Sequence, residues 1–244
     1  MTTANANLSF LDRHHFLLRR LHSLSGIVPV GAFLINHLLA NSTAFLGAKE
    51  FDHHIGLIHS LPWLLGIEVT FIFIPLAFHA IYGLAIAWEG KLNAQQYPYM
   101  DNWRYTLQRI TAYIVFVFII FHLLHFRFAW LLGGQPYGGG TEQFFGFTQR
   151  IFHSPDSWLP LWAWITIYAI GTTAAVYHFC HGIVTFCITW GITVGDEARK
   201  KVSWAALVLG LLLMTWTTSS LIGLSRGATG ETPPQAVHAA APMK

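Results

Sequence analysis

Four long apolar runs each carry a histidine deep inside, and nothing else in the sequence constrains the chain as much. The clearest case is the stretch from Phe71 to Gly83, within a longer apolar run from Pro62 to Trp88. It is apolar on every side of a helix except for the imidazole of His79. A helix apolar all round is buried, and a run of roughly 20 such residues crosses a bilayer core. Ionisable groups inside a span are rare and costly, so each needs a partner. Neutral imidazole has an option the other ionisable side chains lack, because it is an axial ligand for haem iron. His37, His122 and His178 sit at similar depth in three other apolar runs. A single histidine in a span most often serves helix packing. One in each of four consecutive spans is the set that two bis-histidine haems require.

Composition sets the class. Only 10% of the 244 residues are charged and 54% are hydrophobic, against about 25% charged in a soluble domain. The expected fold is all-α: a polytopic membrane protein, a bundle of five transmembrane helices enclosing two haems b. Nothing in the formal net charge of +3 points to nucleic acid. Cys180 and Cys187 lie seven residues apart in one apolar run, which is neither a metal motif nor a disulfide framework, so both read as small buried residues. No cleavable signal peptide is apparent, because the first apolar run belongs to a full span.

In chain order, residues 1–20 form a polar, basic N-terminal segment. Span one is expected over 21–45, with Pro29 and Gly31 inside it. The segment 46–61, with Asp52, His53, His54 and His59, reads as a solvated loop, since no second acidic ligand or cysteine has metal-site spacing. Span two is expected to start at Pro62, a favoured first helical position, and to end near Trp88. The expected bounds of span three are Thr106 and Trp130, of span four Trp158 and Thr193, and of span five Val202 and Leu224. The Gly-rich segment 133–140 lacks the strand and Gly-Lys-Ser/Thr of a phosphate cradle. Residues 194–201 read as a short charged loop, and 225–244 as a disordered tail. The membrane domain is thus 21–224. Seven of the ten tryptophans sit at span ends, forming an interfacial belt.

Lys and Arg divide nine to five between the two sides, which places the N-terminus, the 89–109 segment and the 194–201 loop in the cytoplasm. At ~1.5 Å per residue, His37 lies roughly 24 Å along span one, nearer the outer face. The same arithmetic puts His122 on the outer side and His79 and His178 on the inner side. Equal depth pairs His37 with His122, for an outer haem iron, and His79 with His178, for an inner one. His125 and His181, one turn beyond His122 and His178, are rival ligands nearer the two interfaces. His22 and Ser23, at the inner start of span one, are candidates for haem propionates or a quinone headgroup.

Several blocks then carry a resemblance: Arg19-Arg20-Leu21-His22-Ser23, Pro29-Val30-Gly31, Ile35-Asn36-His37-Leu38, Pro75-Leu76-Ala77-Phe78-His79-Ala80-Ile81-Tyr82-Gly83, Leu107-Gln108-Arg109-Ile110-Thr111 and Thr189-Trp190-Gly191-Ile192-Thr193. Phe121-His122, Arg127 and Tyr177-His178-Phe179 fall on the same pattern. From about Arg19 to Leu224 the chain resembles the cytochrome b558 subunits of succinate dehydrogenase. The resemblance implies a single-chain dihaem membrane anchor of a succinate:quinone oxidoreductase in a prokaryotic cytoplasmic membrane. It also implies partner subunits: a flavoprotein with FAD that oxidises succinate, and an iron–sulfur protein that passes electrons to the anchor. The substrate implied is a quinone, usually menaquinone, and higher oligomers are compatible. The family's four axial histidines fall on His37, His79, His122 and His178. Some fumarate-reducing relatives carry a glutamate two residues before the fourth; here that position is Val176.

Glu68 is the one acidic residue inside any expected span. Near the outer face, it is a candidate proton carrier for a quinone site or else a carboxylate paired with a neighbouring helix. Other readings of the chain are the dihaem anchor of a hydrogenase or formate dehydrogenase, and a haem-free transporter or structural anchor.

Overall fold

The computed structural model describes residues 10–90, 95–132, 144–153 and 159–226, all of them helical or connecting, with no strand among the described residues. Four helical stretches are long and apolar enough to cross a membrane: Arg13–Leu46, Leu64–Glu89, Met100–His125 and Asp196–Ser225. The first is α1 (Phe10–Ile27) and α2 (Pro29–Ser42), joined at Val28 and closed by a 3-10 turn, Thr43–Leu46. Pro29 has no N–H to donate, so the ladder loses a bond there, while Val28 and Ala32 still donate to the carbonyls four residues before them. The basic segment before residue 20 is helical from Phe10, so span one extends beyond its expected start. Residues 1–9, the Gly-rich segment and the tail beyond Arg226 lie outside the described residues.

Four other boundaries differ from expectation. The segment read as a solvated loop contains α3 (Ala48–His59), which buries Phe51 and Ile55, four residues apart on one face. Pro62 does not open span two. Trp63 takes a left-handed backbone (φ 60°), and the span runs through α4 (Leu64–Ile67), a π-helical turn (Glu68–Phe73) and α5 (Ile74–Glu89). The charged loop before span five is the first turn of α9 (Asp196–Ser225), where Asp196 and Glu197 meet the positive end of the helix dipole and pair with Arg199 and Lys200 one turn on. Span three is α6 (Met100–His125), which begins earlier than expected, on Asp101 and its ion pair to Arg104.

Span four is α8 (Leu161–Thr189), preceded by the short α7 (Phe144–His153). It spends part of its length on Thr, Tyr, His and Trp, and it is the innermost helix, packed on α9, α6 and α1. Its upper half joins α3 and α7 in one core around Phe51, Phe152, Trp164 and Tyr168. Its lower half packs Val176, Phe179 and Cys180 against Leu38, Ala206 and Leu213. No residue of span two is buried by the chain itself. Cys180 and Cys187 are free.

Candidate functional site: two histidine pairs across the bundle

The helices bring the four span histidines together in two pairs. His37 of α2 faces His122 of α6, with ring centres 5.7 Å apart and planes at 80°. His79 of α5 faces His178 of α8, with ring centres 6.1 Å apart and planes at 84°. Two imidazoles on opposite sides of one metal, each bound at ~2 Å, would hold their centres roughly 6 Å apart. The close approach of α1 to α5 depends on Gly26, where an added Cβ would stand 2.3 Å from the His79 ring.

Hydrogen bonds decide which ring nitrogen is offered. His79 Nδ1 donates to the His22 carbonyl at 2.9 Å, and His178 Nδ1 donates to the Gln108 carbonyl at 3.2 Å. Each proton is therefore on Nδ1 and each Nε2 keeps its lone pair, the usual outer-shell arrangement of a metal-binding histidine. Gln108 also donates from Nε2 to the His178 carbonyl at 3.0 Å, locking α6 to α8 at this level. In the other pair, His122 Nδ1 is buried without a hydrogen-bond partner, and the Asn41 amide donates to the His37 carbonyl at 2.8 Å.

The rival histidines are engaged elsewhere. His125 shares a 2.8 Å hydrogen bond with the Tyr168 hydroxyl and stacks on Trp164 at 4.4 Å. His181 donates from Nδ1 to the Gln108 side-chain oxygen at 3.1 Å and stacks on Tyr177.

The family model described as succinate dehydrogenase/fumarate reductase transmembrane subunit matches residues 91–218. The succinate dehydrogenase cytochrome b558 subunit of Bacillus subtilis (strain 168) is 37% identical over 198 residues, covering 81% of this chain and 91% of that protein. The chain belongs to this family. The family is that of succinate dehydrogenase, not of the hydrogenase or formate dehydrogenase anchors considered above.

From the His79–His178 pair of this family member to the turn that follows α8 run several buried polar atoms without partners. They are Arg20 Nε, His22 Nδ1, Ser23 Oγ, Trp190 Nε1 and Thr193 Oγ1. His22 stacks on His79, ring centres 4.1 Å apart. Arg20 lies over the Trp190 ring at 5.1 Å, which ties the start of span one to the end of span four. Arginine and indole N–H groups only donate, so this end of the site asks for an acceptor-rich, anionic group. Donors of this kind fit haem propionates, and the paired imidazoles fit a haem iron. His22 and Ser23 are already candidates from the sequence; Arg20 and Trp190, which stand in the quoted blocks, are not. The signal was a basic residue and a tryptophan at the same expected depth.

Glu68 lies on the π turn, and its Oε2 accepts a hydrogen bond from Arg127 at 2.7 Å. The pair joins span two to the residues just beyond α6. Among the described residues, no cluster of three or more His, Cys, Asp or Glu side chains could hold a metal ion, including on α3. There Asp52 accepts from the Phe145 N–H at 2.8 Å at the start of α7. Burial raises its carboxyl above the usual range, opposed by the hydrogen bonds from Phe145 and Phe144. The His59 ring packs against Phe144, tilted at 39° with centres 4.5 Å apart, and burial lowers its imidazole.

Proposed function

We propose that this chain is the membrane anchor of a succinate:quinone oxidoreductase. Its five-helix bundle would hold two haems b and carry electrons from an iron–sulfur subunit to a quinone, menaquinone by the family resemblance. α8, the expected span four, would join the four apolar stretches to make five, since its 29 residues reach roughly 43 Å at ~1.5 Å each. The N-terminus would face the cytoplasm of a prokaryote. The observation that carries this reading is the juxtaposition of His37 with His122 and of His79 with His178.

When bound, a haem supplies reversible one-electron chemistry at its iron. The chain's own residues do the rest. His79 and His178 present Nε2 because their Nδ1 protons are held by backbone carbonyls. His37 and His122 form the outer ligand pair. Arg20, Ser23, Trp190 and His22 offer donors to propionates, or to a quinone headgroup beside the inner pair. Glu68, held in place by Arg127, would exchange protons between the outer face and a quinone working near the His37–His122 pair. Succinate chemistry would belong to a flavoprotein partner with FAD, joined through the iron–sulfur subunit.

The test is haem quantification and a reduced-minus-oxidised spectrum of the complex purified with its partners. Wild type should hold two haems b per chain. His37→Leu and His79→Leu should each remove a different spectral component. Loss of the same component in both, or no haem in the wild type, would refute the reading.

A further inference from the structure

A cavity of about 300 Å³ lies where the last turn of α5 meets the side of α6, lined by Ala87, Trp88, Gly90, Arg109, Ile110 and Tyr113. It adjoins the last turn of α5, and its Arg109 is next in sequence to Gln108, whose carbonyl takes the His178 hydrogen bond, but none of its lining residues is a paired histidine. Its single charge is Arg109, whose guanidinium donates to the Ala87 carbonyl at 2.7 Å and lies over the Tyr105 ring at 4.2 Å. No carboxylate among the described residues pairs with it. Glu89 is taken by Arg19 at 3.6 Å, and Asp101 by Arg104. Gly90 makes the room, since a Cβ there would stand 1.5 Å from an Arg109 nitrogen.

An apolar track leads away from this cation. On α6, Ile110, Tyr113, Val117 and Ile120 recur at helical spacing and are all exposed, Val117 by 67%. On α5, Trp88, Ile81 and Ile74 follow one another at seven-residue intervals and are exposed likewise. Trp88 and Tyr113 are the residue types that settle at the headgroup level of a bilayer. The cavity therefore joins a permanent cation without a counter-ion, an aromatic rim, and two apolar stripes running into the hydrocarbon.

We propose that this cavity binds the phosphate headgroup of an anionic phospholipid, whose acyl chains lie along the stripes of α5 and α6. A guanidinium stays charged and offers paired donors that match phosphate oxygens. A basic pocket between spans at the membrane surface attracts anionic headgroups. A neutral quinone would leave the charge of Arg109 uncompensated, and a zwitterionic lipid would bring its own cation up beside the guanidinium. This inference requires only that the helices cross the membrane, and it is independent of the haem reading.

The test is native mass spectrometry of the complex purified from its own membranes, followed by delipidation and titration. The probes are phosphatidylglycerol, phosphatidylcholine and inorganic phosphate. Wild type should retain an anionic phospholipid and take up phosphatidylglycerol in preference to phosphatidylcholine. Arg109→Gln should weaken that uptake by about tenfold or more, the scale of a lost hydrogen bond to a charged group. Ile110→Trp fills the cavity from an exposed position and keeps the arginine; it should lose the lipid too, with haem content unchanged. If Arg109→Gln fails to assemble, Ile110→Trp decides. The proposal is overturned if both variants bind phosphatidylglycerol as wild type does, if phosphatidylcholine binds equally, if only inorganic phosphate binds, or if the retained molecule is a quinone.

Discussion

Gly171→Ala tests how tightly α6 and α8 hold the His37–His122 pair. A Cβ at Gly171 would stand 2.2 Å from Phe118 Cδ2, 2.3 Å from Cγ and 2.6 Å from Cε2. Carbon atoms in contact prefer about 3.5–4.0 Å, so ring or helix must retreat by roughly 1.3 Å or more. The clash is with the root of the ring, not with a flexible tip. Phe118 is buried, edge-on to Tyr168 at 5.4 Å and stacked on His122 at 5.8 Å, so it has nowhere to swing without moving a candidate ligand. Overpacking of this kind costs about 1–3 kcal/mol. At about 2–4 °C per kcal/mol for a chain of this size, the melting temperature should fall by roughly 2–12 °C. The assay is thermal unfolding of the purified complex in detergent, read together with the spectral component lost in His37→Leu. Gly66→Ala is the control. Nothing lies within 4 Å of a Cβ there, and alanine in a helix is worth about 0.5–1 kcal/mol over glycine. Gly171→Ala melting like wild type with an unchanged spectrum, or Gly66→Ala falling as far, would refute the packing argument.

Glu68→Gln keeps the size and an acceptor for Arg127 but cannot titrate. It should slow succinate:quinone turnover several-fold while succinate still reduces the haems, at a stability cost of about 1 kcal/mol because the pair is only partly exposed; turnover equal to wild type would leave Glu68 a structural partner only. The carboxyl group of Asp52 is raised by burial, so its contribution favours the fold below pH 3.8 and is lost as pH rises through the folded value. Asp52→Asn, which keeps the acceptor for Phe145, should flatten that decline in a series of thermal melts from acid towards neutral pH, and an unchanged slope would exclude Asp52 as its source. Truncation after Arg226 retains the carbonyls that Gln149 and His153 bind, so the partner subunits should still copurify; their loss would place a docking element in the tail.

The span histidines were legible because ionisable groups are few in these apolar runs, and helix rise alone pairs them as the structure does. Pairing across 59 residues was not legible: Arg127 lies past the end of α6, and only the tertiary fold brings it to Glu68. α3 was misread because His53 and His54 suggested a solvated loop, yet Phe51, Ile55 and Ile58 already mark one helical face. The start of α9 was misread for the opposite reason. Its charges looked like a loop, although Asp196 and Glu197 before Arg199 and Lys200 are a helix-start signal. Nothing local in the sequence announces that Val69 to Phe73 wind as a π turn.

That turn carries a bookkeeping consequence for insertions and deletions. A π turn accommodates one residue more than an α turn, and one residue is worth ~100° of rotation about the helix axis. In an unbroken α-helix, Glu68 and His79, eleven residues apart, would point within ~20° of each other. With the extra residue, Glu68 is swung about a quarter-turn away from the His79 face and meets Arg127 instead. Deleting any one residue from Val69 to Phe73 would let the helix relax to ordinary winding without breaking the span. Ten residues of ordinary winding leave Glu68 and His79 the same ~80° apart, so Glu68 would keep its bearing towards Arg127. A homologous helix one residue shorter at this point would therefore be expected to keep its acidic group on the same face without a π turn, whereas restoring α winding at full length would carry it round to the His79 face.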